Sequence, residues 1–294
     1  MEVIAESEFP ALYRAADHSA TVGQRRFLLA VRFQLASLLL AAVFGSFSLN
    51  AGRVDAAAIC AAASLATALV TEVFLLTVRP DRHWYEARAA AESAKTLAWR
   101  YAVGGQPFDL DGGADERGAE RLLLRRFTGI TSSLRDFAPV PVRGEDRQVT
   151  SAMRQVRTLP LEERQRQYLI GRINDQRAWY AGRARRNERR SAQWSVALAA
   201  LETAGLVAAV LAAVQLVDFD LPGIFGALAA GGVAWLQTRQ HQQLASAYSV
   251  AALELATIAE RAEWPQTEVE WAHFVDEAEE AISREHTLWW ASHT

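Results

Sequence analysis

The chain has 294 residues, room for two domains, and a net charge of −3, so no overall field directs it to nucleic acid. Its single cysteine, Cys60, lies in an apolar run, which excludes an internal disulfide and points to a small packing role. The N-terminus, MEVIAESEFP, is acidic and lacks the basic region and apolar core of a secretory signal peptide, so the first span is expected to stay as a signal anchor.

In chain order, Pro10 can open a helix at its first turn. The pattern predicts one helix from about Pro10 through Leu49, amphipathic at first and apolar over a span at about 30–49, with Gly23 the only breaker before Arg32. The turn Asn50-Ala-Gly-Arg-Val-Asp55 leads into Ala56 to Val78, which has no Pro or Gly and a single charge, Glu72. At helical rise that run extends about 35 Å, enough to cross a bilayer. His83 to Tyr101 predicts an Ala-rich helix ended by Gly104, Gly105 and Pro107. Asp109-Leu-Asp-Gly-Gly113 resembles a calcium loop faintly, but Gly113 stands where an oxygen ligand is needed, so a plain loop is expected. Ala119 to Phe137 predicts a short helix, and Pro139, Pro141 and Gly144 mark a boundary.

The second half repeats the plan. Helix is expected from Leu161 through Arg190 into a third span at about 194–217, then a turn at Asp218–Asp220 and a fourth span at about 221–238. A helix at 239–262 carries Leu244, Tyr248, Ala251, Leu255 and Ile258 at coiled-coil spacing. A last helix, 267–290, sets Trp271, Phe274, Ala278, Ile282 and Trp289 on one side and Asp276, Glu277, Glu279 and Glu280 mostly on the other. The expected fold is all-α: a membrane protein of four transmembrane helices in two antiparallel hairpins, with long helices extending into a cytoplasmic bundle. The halves are 1–145 and 146–294. Arginines flank the open ends of both hairpins, and Arg53 alone stands at the closed ends. The positive-inside rule then places both termini in the cytoplasm.

At this point PALYRAADHSATVGQRRFLL, a hairpin, and HWYEARAAAESAKTLAWRYAVGGQPF resemble one branch of the SLATT family, the SMODS- and SLOG-associating two-transmembrane effector domains. RAWYAGRARRNERRSAQW, a hairpin, and EEAISREHTLWW resemble another branch. The matching residues are Ala16-Asp17, Gln24, Trp84, Arg88, Glu92, Lys95, Trp99-Arg-Tyr101, Pro107-Phe108, Glu285-His286 and Trp289. The resemblance implies a bacterial inner-membrane effector of conflict and antiphage systems that perforates the membrane after a nucleotide signal. In contrast to the family pattern, no fused nucleotidyltransferase, SLOG or other sensor domain is expected from these residues.

No catalytic motif is found: no phosphate loop, H-E-x-x-H, paired Cys or Ser elbow, so neither enzyme activity nor a cofactor is expected. His286 beside Glu285 reads as a packing residue rather than a base. Trp84, Arg88, Glu92, Lys95 and Trp99 fall within about 80° of one another on a helix. They read as a solvated face of ordinary ion pairs, a protein interface, or an anionic-effector site. Arg183, Arg185, Arg186, Arg189, Arg190 and Trp194 read as a topology determinant with an aromatic belt, compatible with headgroup binding. Arg32 and Glu72 are equally distant from the first turn and expected to face each other, while Glu202 falls near Gln237 and Arg239. These charges serve either structural ion pairing or an ion pathway. Gly223, Ala227 and Gly231 form a small-residue face expected to pack a neighbouring helix. The expected partners are the lipid bilayer, further copies of the chain and a nucleotide-sensing or other effector-system protein. A membrane-anchored scaffold is the alternative to a pore, and a small-ion transporter a third reading.

Overall fold

Ala56–Val78 forms one helix, as its composition predicts, and Asp55 caps it by accepting from the N–H groups of Ala57 and Ala58. It belongs to a computed structural model describing residues 4–51, 53–110, 115–134, 147–216 and 219–291, with side chains outside 51 and 284–291. The fold is all-α. The helices are α1 (Ala11–Gly45), α2 (Ala56–Val78), α3 (Pro80–Val103), α4 (Glu116–Ser133), α5 (Ser151–Arg157), α6 (Leu161–Tyr168), α7 (Asp175–Ala213), α8 (Leu221–Arg239), α9 (His241–Arg261) and α10 (Glu268–Ala291). A 3-10 turn, Glu6–Glu8, precedes α1, and a two-residue antiparallel ladder pairs Asn50 with Asp55 and Ala51 with Val54.

Several boundaries differ from expectation for local reasons. Helix α1 ends at Gly45, not Leu49, because Leu49 is drawn into the turn: its N–H donates to Asp55 and its carbonyl accepts from Ala56. Helix α4 starts before Ala119, and Phe137 lies outside the described residues. Helix α5, capped by Thr150 on Met153 N–H, is too short to carry a periodic signal. Around Gly171 the stretch Leu169–Asn174 is a π turn joining α6 to α7.

One feature recurs in both halves. Arg79, between α2 and α3, and Gln240, between α8 and α9, each adopt the left-handed conformation (φ 44° and 46°). Each N–H still bonds the carbonyl four residues back, on Leu75 and Leu236. A non-glycine residue rarely takes this conformation, so its recurrence marks the junctions as equivalent. Helices α1 and α7, by contrast, run without a break.

Packing divides the chain into two units that cut across the sequence halves. The core unit comprises Met1–Gln24, Asp81–Arg183 and Ala247–Thr294; the membrane unit comprises Arg25–Pro80 and Ala184–Ser246. The core unit resembles a soluble protein. Trp99, Trp271, Tyr168, Phe108, Leu123 and Met153 are fully buried, and Ala87, Ala90, Ala91, Ala94, Ala98 and Ala102 give α3 a shallow surface against which neighbours close. Gly23 of α1 meets the backbone of Trp84 here, where a Cβ would lie 3.1 Å from the Trp84 Cα.

The membrane unit reverses that partition. Most of its buried residues are small, among them Ala30, Val31, Ser37, Ala41, Ala57, Ala68, Ala184 and Ala208; His241 is the large polar exception. Its large apolar side chains point outward, with Phe33, Leu69 and Val196 at 63%, 65% and 71% exposure. Water would penalise such a surface, whereas lipid tails solvate it and leave small residues to mediate helix contact. The two hairpins meet through Phe47 and Phe219, with ring centroids 5.8 Å apart.

Within the second hairpin, Gly232 faces Leu198 and Gly205 faces Phe225; Cβ atoms on the glycines would lie 2.7 Å and 3.1 Å from those side chains. Each helix thus offers one notch and one knob in antiparallel register. Within the chain the expected small-residue face of Gly223, Ala227 and Gly231 is not what packs α8 on α7: a Cβ on Gly231 would meet open space, and Gly223 lies over the Asp220 carboxylate that caps α8. Gly232→Leu is expected to destabilise the hairpin by about 1–3 kcal/mol. Leu198→Ala in the same chain should recover part of that loss. Resistance of detergent-solubilised protein to unfolding in dodecyl sulfate measures both, and an unchanged Gly232→Leu variant would refute the notch.

Candidate functional site

Much of the five-residue stripe on α3 packs against the start of α1 within the chain, while the Arg88 side chain stays 32% exposed. Trp84 stacks on Tyr85 at 4.8 Å. Arg88 binds Asp17 at 3.2 Å and Glu92 at 2.6 Å. Lys95, the only lysine in the chain, lies over the rings of Phe9 and Tyr13 at 5.7 and 5.6 Å. Trp99 packs on Phe9 and on Tyr168, both at 5.9 Å. Progress along α3 runs back along α1, so the stripe is an internal antiparallel seam. Helical periodicity detects such a face without naming what covers it. Burial, and then the Arg172 charge, lower the pKa of Lys95.

Beside Lys95 lies a buried polar cluster that sequence reasoning missed. Arg172 and Glu279 are wholly inaccessible and paired side-on, with Arg172 Nε and Nη2 donating to the two carboxylate oxygens at 2.9 and 2.8 Å. Tyr168 Oη donates to Glu279 Oε1 at 3.0 Å, and Thr96 Oγ1 to Oε2 at 2.8 Å. Burial and the Glu279 charge push the Tyr168 hydroxyl well above its ordinary range, which keeps it a donor. For Arg172, burial opposes the charge and Glu279 more than restores it. Glu279 therefore does not share the outer acidic face of α10.

A second set of buried cations ties the C-terminus of α3. Arg157 Nη1 donates to the carbonyls of Tyr101 and Phe108, both at 2.8 Å. Arg164 Nη1 and Trp271 Nε1 both donate to Val103, at 2.6 and 2.8 Å. Carbonyls at a helix end lack intrahelical partners and carry partial negative charge, which suits these donors.

In the membrane unit the expected pair of Arg32 with Glu72 does not form. Glu72 accepts a hydrogen bond from Gln34, and Arg32 lies over the Trp235 ring at 5.1 Å. Counting residues from the turn gives depth along the hairpin but not azimuth, and the Arg32 guanidinium is taken up by Trp235 of the second hairpin. Glu202 is exposed on α7 without a polar partner among the described residues, rather than meeting Gln237 or Arg239. Arg239 instead approaches Trp235 at 5.7 Å.

The arginines of the 183–190 cluster are exposed and Trp194 is half-buried. Arg183 lies over Trp179 at 5.0 Å. On the opposite side of α7, Asn187 meets the buried His241 at 2.7 Å. Part of the faint calcium loop, and the side chains of Glu285, His286 and Trp289, lie outside the described residues. Among the described residues no group of His, Cys, Asp and Glu is arranged to hold a metal.

Among the described residues, four helices long and apolar enough to cross a membrane, inverted packing around them and a conventional core elsewhere define a multi-pass helical membrane protein. Residues 10–165 match the SMODS and SLOG-associating 2TM effector domain 3, and residues 168–289 the SMODS and SLOG-associating 2TM effector domain 1. The chain belongs to the SLATT family, with two such domains in tandem. No curated protein and no solved structure matches it significantly.

Proposed function

We propose that the protein is a pore-forming or membrane-disrupting effector of a bacterial conflict or antiphage system. It acts as a homo-oligomer in the inner membrane, without enzymatic chemistry, and is controlled through its core unit, which faces the cytoplasm with both termini. The observation that carries this reading is Glu72. It lies in a span and is held by the neutral amide of Gln34, not by a cation. A carboxylate in hydrocarbon is costly unless it is paired or faces water. Assembly of several copies around a wet path meets that requirement, and Gln34 then orients the acid without cancelling its charge.

The test is ion flux through liposomes holding equal amounts of each variant. Glu72→Gln is expected to fold and insert normally, because Gln34 can still bond an amide. Its cation preference should fall, since the fixed negative charge is gone. Arg32→Gln should leave that preference in place. Wild-type protein that passes no ions would favour a non-conducting scaffold whose core unit binds another protein. Flux unaltered in Glu72→Gln would remove this acid from the path.

A further inference from the structure

Arg185, Arg186, Arg189 and Arg190 occupy an arc of about 140° on α7 at 3.6 residues per turn. All four are exposed, and none has an acidic partner among the described residues. The one acid nearby, Glu188, lies off the arc. Buried Ala184 and Asn187, bonded to His241, mark the opposite, inward side. Following the arc upward into the span, the same face presents Val196 and Val207, exposed at 71% and 53%. Leu198 and Gly205, which contact α8, lie on the inward side. One face of one helix therefore joins a field of unpaired guanidinium groups to an uncovered apolar track, at the level where the span begins.

That sequence of surfaces has the chemistry of an amphiphile with an anionic head. We propose that this face of α7 binds anionic phospholipid, with the headgroup phosphate held among Arg185, Arg186, Arg189 and Arg190 and an acyl chain lying along Val196 and Val207. Guanidinium groups bind phosphate oxygens bidentately, which an ammonium cannot do. Orientation of the protein in the membrane would need positive charge on the cytoplasmic side, but neither an arc confined to one face nor its alignment with exposed valines. The first half has no equivalent, since only Arg25 and Arg26 stand at the corresponding approach to its span. The site does not depend on conduction, so it stands or falls separately from the pore.

The experiment titrates full-length, delipidated protein in neutral detergent with phosphatidylglycerol or phosphatidylcholine of matched chains and counts bound lipid by native mass spectrometry. Wild-type protein should retain phosphatidylglycerol in preference. Arg186→Gln with Arg190→Gln keeps two arginines for correct insertion and should weaken the preference by about fivefold per residue removed. The control, Arg125→Gln with Arg126→Gln, removes the same charge from exposed positions on α4 and should leave the preference unaltered. Equal loss in both pairs would show a response to net charge and overturn the site, as would wild-type protein without preference. Inorganic phosphate at the same concentration should not displace the lipid, because it lacks the apolar part. Displacement would reassign the arc to a soluble phosphate ligand and overturn the proposal for lipid.

Discussion

Glu279→Leu is expected to destabilise the core unit by about 3–5 kcal/mol, because it leaves the buried Arg172 guanidinium with no counter-charge. Arg172→Met should cost a similar amount, stranding the carboxylate with only Tyr168 and Thr96 as donors. The double variant should recover most of the loss, since neither charge then remains to be desolvated. Thermal unfolding in detergent, followed by tryptophan emission from the core, measures all three. Single variants as stable as the parent would mean that water reaches the pair. A double variant no better than the singles would mean that the hydrogen bonds to Tyr168 and Thr96, not the charge balance, hold this part of the core.

That pair escapes a reading of the sequence for physical reasons. On a helical wheel Glu279 stands about 80° from Trp271, at the margin of the buried face. Its neighbours Asp276, Glu277 and Glu280 make it look like one more surface acid. Its partner comes from the π turn Leu169–Asn174, whose wider winding shifts the register of α6 against α7. Nothing in composition announces such a turn. The spans were legible because length and apolarity do not depend on what a helix packs against. The α3 stripe was legible as a face but not as a seam, because its cover is α1, distant in sequence. The Gly232 and Gly205 notches were missed for a related reason. Small residues abound in α8, and only the partner's bulk, Leu198 and Phe225, shows which glycines matter. The left-handed residues Arg79 and Gln240 carry no glycine signal at all, so only their geometry exposes them.

Tryptophan gives the other large effect and shows the same limit. Trp264 and Trp271 are close in sequence, yet Trp264 is 70% exposed and Trp271 wholly buried. Trp271 meets Tyr168 edge-on at 5.7 Å, stacks on Phe274 at 5.4 Å and donates its indole N–H to Val103. Trp271→Ala should therefore cost about 3–5 kcal/mol, from lost transfer energy and the cavity left behind. Trp271→Phe keeps most of the ring contact. The Val103 carbonyl stays satisfied by Arg164, so no acceptor is orphaned. The expected cost is then about 1–3 kcal/mol. Trp264→Ala should change stability by no more than about 0.5 kcal/mol, as for an ordinary surface site. Thermal unfolding should rank the losses with Trp271→Ala largest, Trp271→Phe next and Trp264→Ala smallest. If Trp271→Phe fell as far as Trp271→Ala, the indole hydrogen bond at the end of α3 would outweigh the packing of the ring.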